Sequence, residues 1–512
     1  MEICLKRFFL AGLTASVVTL AAGAEAPFAL RVVDAATGRG VPLVELKGVS
    51  GQIHLTDSHG YVAIDDPTLL RQRVFFHLRS HGYEYPAGAF GYRGEAIDLR
   101  PGGEITLRIK RLNVAERLYR ITGAGIYRDS VKLVRPVPIA RPLLNAQVCG
   151  QDTVQTVVVG DTVHWFWGDT NRLAHPLGQF NTSGAFSKLP RAGGLPPDRG
   201  VDLEYFVGGD GFSRPMFKRE NGVLIWVHGA FGLEDPGGKL RVLAHYSRRK
   251  SLTEELSAGL AVLNDRTDLF EHVLDCPNPH LPAPRGQAFR YRDEGREYVA
   301  FATPFPLVRV RADWTVAMDP RQWESFTPLV EGTVWQEGAA PRLERGADGR
   351  VRWAWKRYTG VVDRGAVQTM LESGELEARD NWLHTVDAAD GRAVRLHAGS
   401  VKWNEYRRRW ILIAHEIGGG PSFLGEVWYA EGHRPEGPFR RAVRIVTHDN
   451  YSFYNVAQHD FFDEDGGRTI YFEGTYTAAF AKAAVPTPWY DYNQIMYRLD
   501  LGDPRLQGAF ID

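Results

Sequence analysis

This chain is short of cysteine, of net charge and of long apolar runs. It has only 3 cysteines in 512 residues, and one of them, Cys4, lies in the N-terminal leader. The two that remain, Cys149 and Cys276, are too few for a zinc site. Their spacing leaves open whether they pair or stay as buried thiols. Lys and Arg number 61 against 61 Asp and Glu. With no basic excess to release counterions, nucleic acid is excluded as an expected partner. No Gly-x-Ser-x-Gly, His-Glu-x-x-His, P-loop or dinucleotide fingerprint occurs, which argues against serine hydrolase, zincin, NTPase and oxidoreductase chemistry. Beyond the leader, no stretch is apolar for the roughly 20 residues a membrane span needs.

The leader itself reads as a signal peptide, residues 1–24. Lys6 and Arg7 precede an apolar run, Phe8 to Leu20, and Ala22-Gly23-Ala24 supplies a small-x-small cleavage pattern. The mature protein is therefore expected to be exported, periplasmic or extracellular, and off the membrane after cleavage.

Aromatic residues are plentiful at 12%, including 13 Trp and 20 Tyr. They suit β-sheet cores and sugar-binding clefts alike. The periodicity is that of an all-β protein. Residues 27–112 carry short alternating runs split by turns such as Asp57-Ser-His-Gly60 and Pro101-Gly-Gly103, the pattern of a β-sandwich. Within it Val32-Val-Asp-Ala-Ala-Thr-Gly-Arg-Gly-Val-Pro42, Thr56-Asp-Ser-His-Gly60 and Gly82-Tyr83 resemble the carboxypeptidase-regulatory-like sandwich, a module that is usually accessory. Residues 113–145 read as a connector, with a short helix at Asn113–Arg120 and an extended proline-rich stretch after Arg135.

From residue 146 to 512 a hairpin pattern recurs. Turns at Gly160-Asp161, Asn221-Gly222, Glu294-Gly295, Glu405-Tyr406 and Gly466-Gly467 are followed by strands rich in Trp, Tyr and Phe, with a weaker sixth copy at Asp348–Trp355. Hairpins repeating at this interval predict a five-bladed β-propeller, six blades remaining open. Gly365–Ser373 has helical periodicity and reads as an insertion between blades.

The first hairpin carries the chemistry. If Gly160-Asp161 is a two-residue turn, paired positions sum to 321, and Asp152 stands across from Asp169. Two carboxylates so placed repel, and one of them should hold its proton to higher pH. That separation is what acid–base cleavage of a glycosidic bond requires. In the last hairpin, Tyr454 and Asn455 open the first strand, and His459 falls at the same end as Glu473. With His415 closing its own hairpin, they form a plausible sugar rim. Trp167 and Trp428 offer stacking faces, and Glu426 lies beside Trp428 on one strand face. Asp463–Gly467 lacks the spacing of a calcium loop and reads as a turn, so no cofactor is expected, a structural calcium ion remaining open.

The residues Gln151-Asp-Thr-Val154, followed by Gly160-Asp-Thr-Val-His-Trp-Phe-Trp-Gly-Asp-Thr170, resemble the opening blade of the five-bladed glycosidase propellers, a group with arabinanases, β-xylosidases and fructosidases. They are most similar to a propeller family formerly of unknown function, some of whose bacterial members are endo-D-arabinanases. That family has Phe-Gly-Asp-Thr where this chain has Trp-Gly-Asp-Thr. The resemblance implies that Asp152 and Asp169 occupy catalytic positions. It also implies a general-acid glutamate from a later blade, for which Glu426 is the candidate. The expected function is a secreted glycoside hydrolase acting on polysaccharide or oligosaccharide. The alternative is a non-catalytic carbohydrate-binding or cell-surface scaffold.

Overall fold

The computed structural model describes residues 25–511, so the expected signal peptide lies outside the described residues. The chain is all-β. Its first unit is two four-stranded sheets. One has the order Tyr61–Ile64, Phe28–Asp34, Glu104–Arg111, Tyr83–Glu84. The other has the order Ile53–Leu55, Glu45–Gly48, Arg73–Arg79, Gly94–Asp98. Leu30, Val32, Val44, Leu46, Phe76 and Ile97 fill the space between them.

Five of the six further sheets form the propeller. Their innermost strands are Gln155–Val159, Leu224–Glu234, Gln287–Asp293, Leu396–Asn404 and Ser452–Gln458, in blades 1 to 5. Each packs against the next from blade 1 to blade 5, and Ala457 and Tyr471 of blade 5 close the ring against Val154, Val163 and Trp165 of blade 1. Blade 2 is a consecutive antiparallel meander, and blade 1 is antiparallel too but skips Thr170–Arg172 and His175–Gln179, which join Val148–Gln151 in a separate three-stranded sheet. Blade 3 has five strands, and the sixth sequence copy supplies the outermost, Ala354–Arg357. The sixth copy is thus an extra strand and the ring has five blades. Asn221-Gly222 precedes blade 2 instead of turning within it. The insertion helix, Arg364–Glu372, falls where its periodicity put it, with Asp363 capping it by accepting from the Ala366 N–H.

Blade 5 completes itself with a strand from before blade 1. Glu116–Arg120, read from sequence as a short helix in a connector, is a strand antiparallel to Asn493–Asp500. Every residue of it is buried. A helix there would leave the edge of Asn493–Asp500 unpaired, so tertiary pairing overrides the local pattern. The same strand ties the sandwich to the ring. Arg117 is buried beneath Tyr83 and donates to the Pro42 carbonyl, the His81 carbonyl and the Ser80 hydroxyl.

Candidate active site

The hairpin of blade 1 is built as its sequence demands. Gly160, at φ 60°, opens a two-residue turn, and the ladder runs from Val159↔Thr162 to Gln155↔Phe166. Every pair sums to 321. Beyond Gln155 the register slips, because Thr153 takes a left-handed conformation at φ 56°. The Gly168 N–H then donates to the Asp152 carbonyl at 2.8 Å. Asp152 therefore sits over Gly168 and Asp169 together. The missing side chain of Gly168 makes the room, since a Cβ there would lie 2.4 Å from Asp152 Oδ1.

Both carboxylates are held by neutral donors. Asp152 Oδ2 accepts from the Tyr454 hydroxyl at 2.9 Å, and its carboxylate also takes hydrogen bonds from Tyr492 and the Asp169 N–H. Asp169 Oδ1 accepts from the Trp226 indole N–H at 2.8 Å, a contact from blade 2 to blade 1. Burial is the main force on both acids and raises both pKa values. Asp169 rises to about 7, from burial first and the Asp152 charge second, with Trp226 pulling the other way. Hydrogen bonds from Tyr454, Tyr492 and Thr153 oppose the rise at Asp152. The result is a carboxyl that keeps its proton near neutrality beside one furnished with donors for its ionised form.

These residues lie at the end of the ring where inner strands begin and second strands end. Bulges there re-aim side chains. The ladder skips His228 in blade 2, His397 in blade 4, and Asn455 with Val456 in blade 5. Asn455 Nδ2 donates to Thr153 Oγ1 at 2.7 Å, joining blade 5 to blade 1. His228 Nε2 lies 2.7 Å from Ser247 Oγ. Burial, then the charges of Arg285 and Arg249, lower the pKa of His228 to about 3, so the ring is neutral. Gln287 Nε2 donates to the Val154 carbonyl at 2.8 Å. Blades 1 and 3 are not adjacent, so this bond crosses the bore and floors the mouth. A separate cavity of about 400 Å³ opens at the far end, lined by Val157, Phe231, Phe289 and Lys402.

Of the residues singled out in the sequence, Asp152, Asp169, Tyr454 and Asn455 come together here. The others do not. Glu426 precedes the third strand of blade 4 and is 0% exposed. Thr447 Oγ1 donates to it at 2.6 Å, and Arg444 lies 3.0 Å away. Being buried, it is out of a sugar's reach as a general acid. Trp167 is buried and stacks on Trp165, with centroids 6.1 Å apart and planes at 8°. Trp428 is buried too, its indole donating to Glu416 Oε2 at 3.0 Å. His415 is enclosed with its ring edge-on to His397. His459 and Glu473 do meet, at 2.8 Å, but both are buried. The inner strand of blade 5 runs from the mouth at Ser452 to Gln458, so His459 lies at the opposite end from Asp152. There it packs edge-on to Trp165 between blades 5 and 1.

Sequence reasoning missed Trp226 and Tyr492. Trp226 was visible as an aromatic strand residue, but its partner lies on another blade. Tyr492 sits in a loop at φ 60°, with no periodic signal around it. Among the described residues no cluster of three or more His, Cys, Asp or Glu could hold a metal ion. Cys149 and Cys276 are both free thiols.

No family model matches the chain, and no curated protein does. Solved structures of similar fold include an exo-β-1,3-galactanase from Phanerochaete chrysosporium with galactose, at 9% identity and TM-score 0.36 over 75% of this chain and 65% of that one. An exo-1,5-α-L-arabinanase from a bovine ruminal metagenomic library matches at 12% identity and TM-score 0.33, over 69% of this chain and 94% of that one. The GH43_1 enzyme from Xanthomonas citri complexed with xylose matches at 11% identity and TM-score 0.34, over 70% and 88%.

Proposed function

We propose that this protein is an exported glycoside hydrolase whose reacting pair is Asp152 and Asp169. One observation carries the reading: two half-buried carboxyls meet at one end of the ring, both pushed up by burial, Asp169 to about 7. In this mechanism Asp169 gives its proton to the glycosidic oxygen as the bond from that oxygen to the anomeric carbon breaks. Ionised Asp152 either takes a proton from the attacking water or attacks the anomeric carbon itself, water then releasing the sugar. Tyr454 and Tyr492 hold Asp152 in place, and their own pKa values are raised by burial and the Asp152 charge, so both remain protonated donors. The sandwich is read as an accessory module like the carboxypeptidase-regulatory one, fixed to the ring through Arg117.

The test is a broad glycan panel assayed for released reducing sugar with wild type, Asp152→Asn and Asp169→Asn. Each substitution is expected to lower kcat by about 10²–10⁴-fold while leaving binding in place. Wild-type protein that binds a glycan but releases no sugar from any member of the panel defeats the proposal.

A further inference from the structure

The mouth is electrically lopsided. Its acids and phenols come from blades 1 and 5, and blades 3 and 4 bring arginines to the other side. Arg285 stands one residue before Gly286, whose N–H donates to the His228 carbonyl at the blade 2 bulge. Arg395 stands just before the inner strand of blade 4. Its guanidinium lies over Gly418 so closely that a Cβ there would fall 1.8 Å from Nη2. Arg364 is the first residue of the helix Arg364–Glu372, and its charge acts on His397 at the blade 4 bulge.

Several other arginines of these blades have carboxylate partners, although among the described residues Arg292, Arg296, Arg357, Arg409 and Arg441 make no ion pair within 4.0 Å. Arg392 grips both oxygens of Glu416, Arg407 pairs with Glu431, and Arg309 bridges Asp293 and Glu324. Among the described residues Arg364 and Arg395 make no ion pair within 4.0 Å. Arg285 has only Glu255 at 3.9 Å, and Glu255 is already held by Arg249 at 2.8 Å. Arg364 is doubly misplaced for stability. It sits at the positive end of a helix dipole, and burial and the Arg395 charge lower its pKa. A chain with 61 basic and 61 acidic residues has no general basic surface to explain such a gathering. Beside Arg285 opens a cavity of about 570 Å³, lined by Arg285, Trp335, Thr303, Gly365 and Ala366, with Arg364 and Arg395 outside its lining. Two acids also border this cavity. Asp363 is engaged in capping the helix, and Glu337 is exposed on the outer wall.

Resting on the hydrolase reading above, we propose that the glycan is anionic and that Arg285, Arg364 and Arg395 bind its carboxylate, sulfate or phosphate groups. A planar guanidinium matches each of these with paired hydrogen bonds. The arginine side of the mouth then holds the charged residue of the polymer while the neighbouring linkage lies over Asp152 and Asp169.

The experiment titrates the Asp169→Asn protein with four ligands at low and high sodium chloride: an oligogalacturonate, a sulfated galacto-oligosaccharide, a phosphorylated oligosaccharide and a neutral arabino-oligosaccharide. One charged ligand is expected to bind, and its identity names the anion. High salt and the Arg364→Gln/Arg395→Gln double variant should each weaken it by about tenfold or more. The melting temperature of the double variant should hold or rise, because two unpaired like charges are gone, and a structural role for these arginines would lower it. The inference is overturned if no charged ligand binds, if the neutral one binds as tightly, or if the arginine substitutions leave binding unchanged. Wild-type cleavage of a neutral glycan that depends on Asp152 and Asp169 sinks this inference and leaves the hydrolase standing. Salt- and arginine-dependent binding without any cleavage does the reverse.

Discussion

The Tyr454 hydroxyl on blade 5 reaches Asp152 Oδ2 on blade 1 at 2.9 Å, so the seam that closes the ring runs through the Asp152–Asp169 pair. That bond favours the ionised carboxylate. Tyr454→Phe removes it, and the acidic limb of the pH–rate profile should move up by about one pH unit, the worth of one charge-assisted hydrogen bond. An unmoved limb would mean that Asp152 does not set it.

Asp169 makes a prediction about stability. Its pKa is raised from 3.8 to about 7, so between those values the folded state binds a proton that the unfolded state has lost. Stability therefore falls as pH rises through that window, and the penalty is complete above it. Asparagine does not titrate. The melting temperature of Asp169→Asn should gain on wild type steadily from pH 4 to pH 7 and run parallel beyond, as followed by calorimetry.

Gly168 has no left-handed backbone requirement, so alanine there is tolerated by the chain itself. Its Cβ would nonetheless lie 2.4 Å from Asp152 Oδ1 and drive the carboxylate aside. Gly168→Ala is expected to cost about tenfold or more in kcat/KM with a stability change of about 1 kcal/mol or less. Steady-state kinetics and urea melts on one preparation separate the two effects.

Glu473 should behave in the opposite way. Removing it strands buried His459 without its acceptor, and Glu473→Ala is expected to cost about 3–5 kcal/mol in urea unfolding. Where the variant is still folded, sugar release should stay within about twofold of wild type. A large loss of activity without loss of stability would return the pair to the site.

Local geometry was legible in the sequence where a turn dictated it. Gly160-Asp161 set the register of blade 1, and counting outward placed Asp152 by Asp169, to within the slip at Thr153. Alternation put Glu426 and Trp428 on a strand but carried no information on how far from the axis that strand lies, and burial decided against both. His459 was misplaced because the blade 5 hairpin turns through two short 3-10 segments, Asp460–Phe462 and Asp465–Gly467, and its inner strand bulges at Asn455. Glu116–Arg120 had a helical look that only a partner some 375 positions onward could overrule.

That same pairing fixes when the molecule can become a ring at all. Residues 116–120 emerge long before residues 493–500 and must wait, edge bare, through the making of every blade between. Any chain interrupted short of its final strand is left with an unlatched circle and a sandwich tethered to its loose end. Integrity of the whole polypeptide is thereby written into whether the seam between blades 5 and 1 can form, and a truncated product fails at its first blade as surely as at its last.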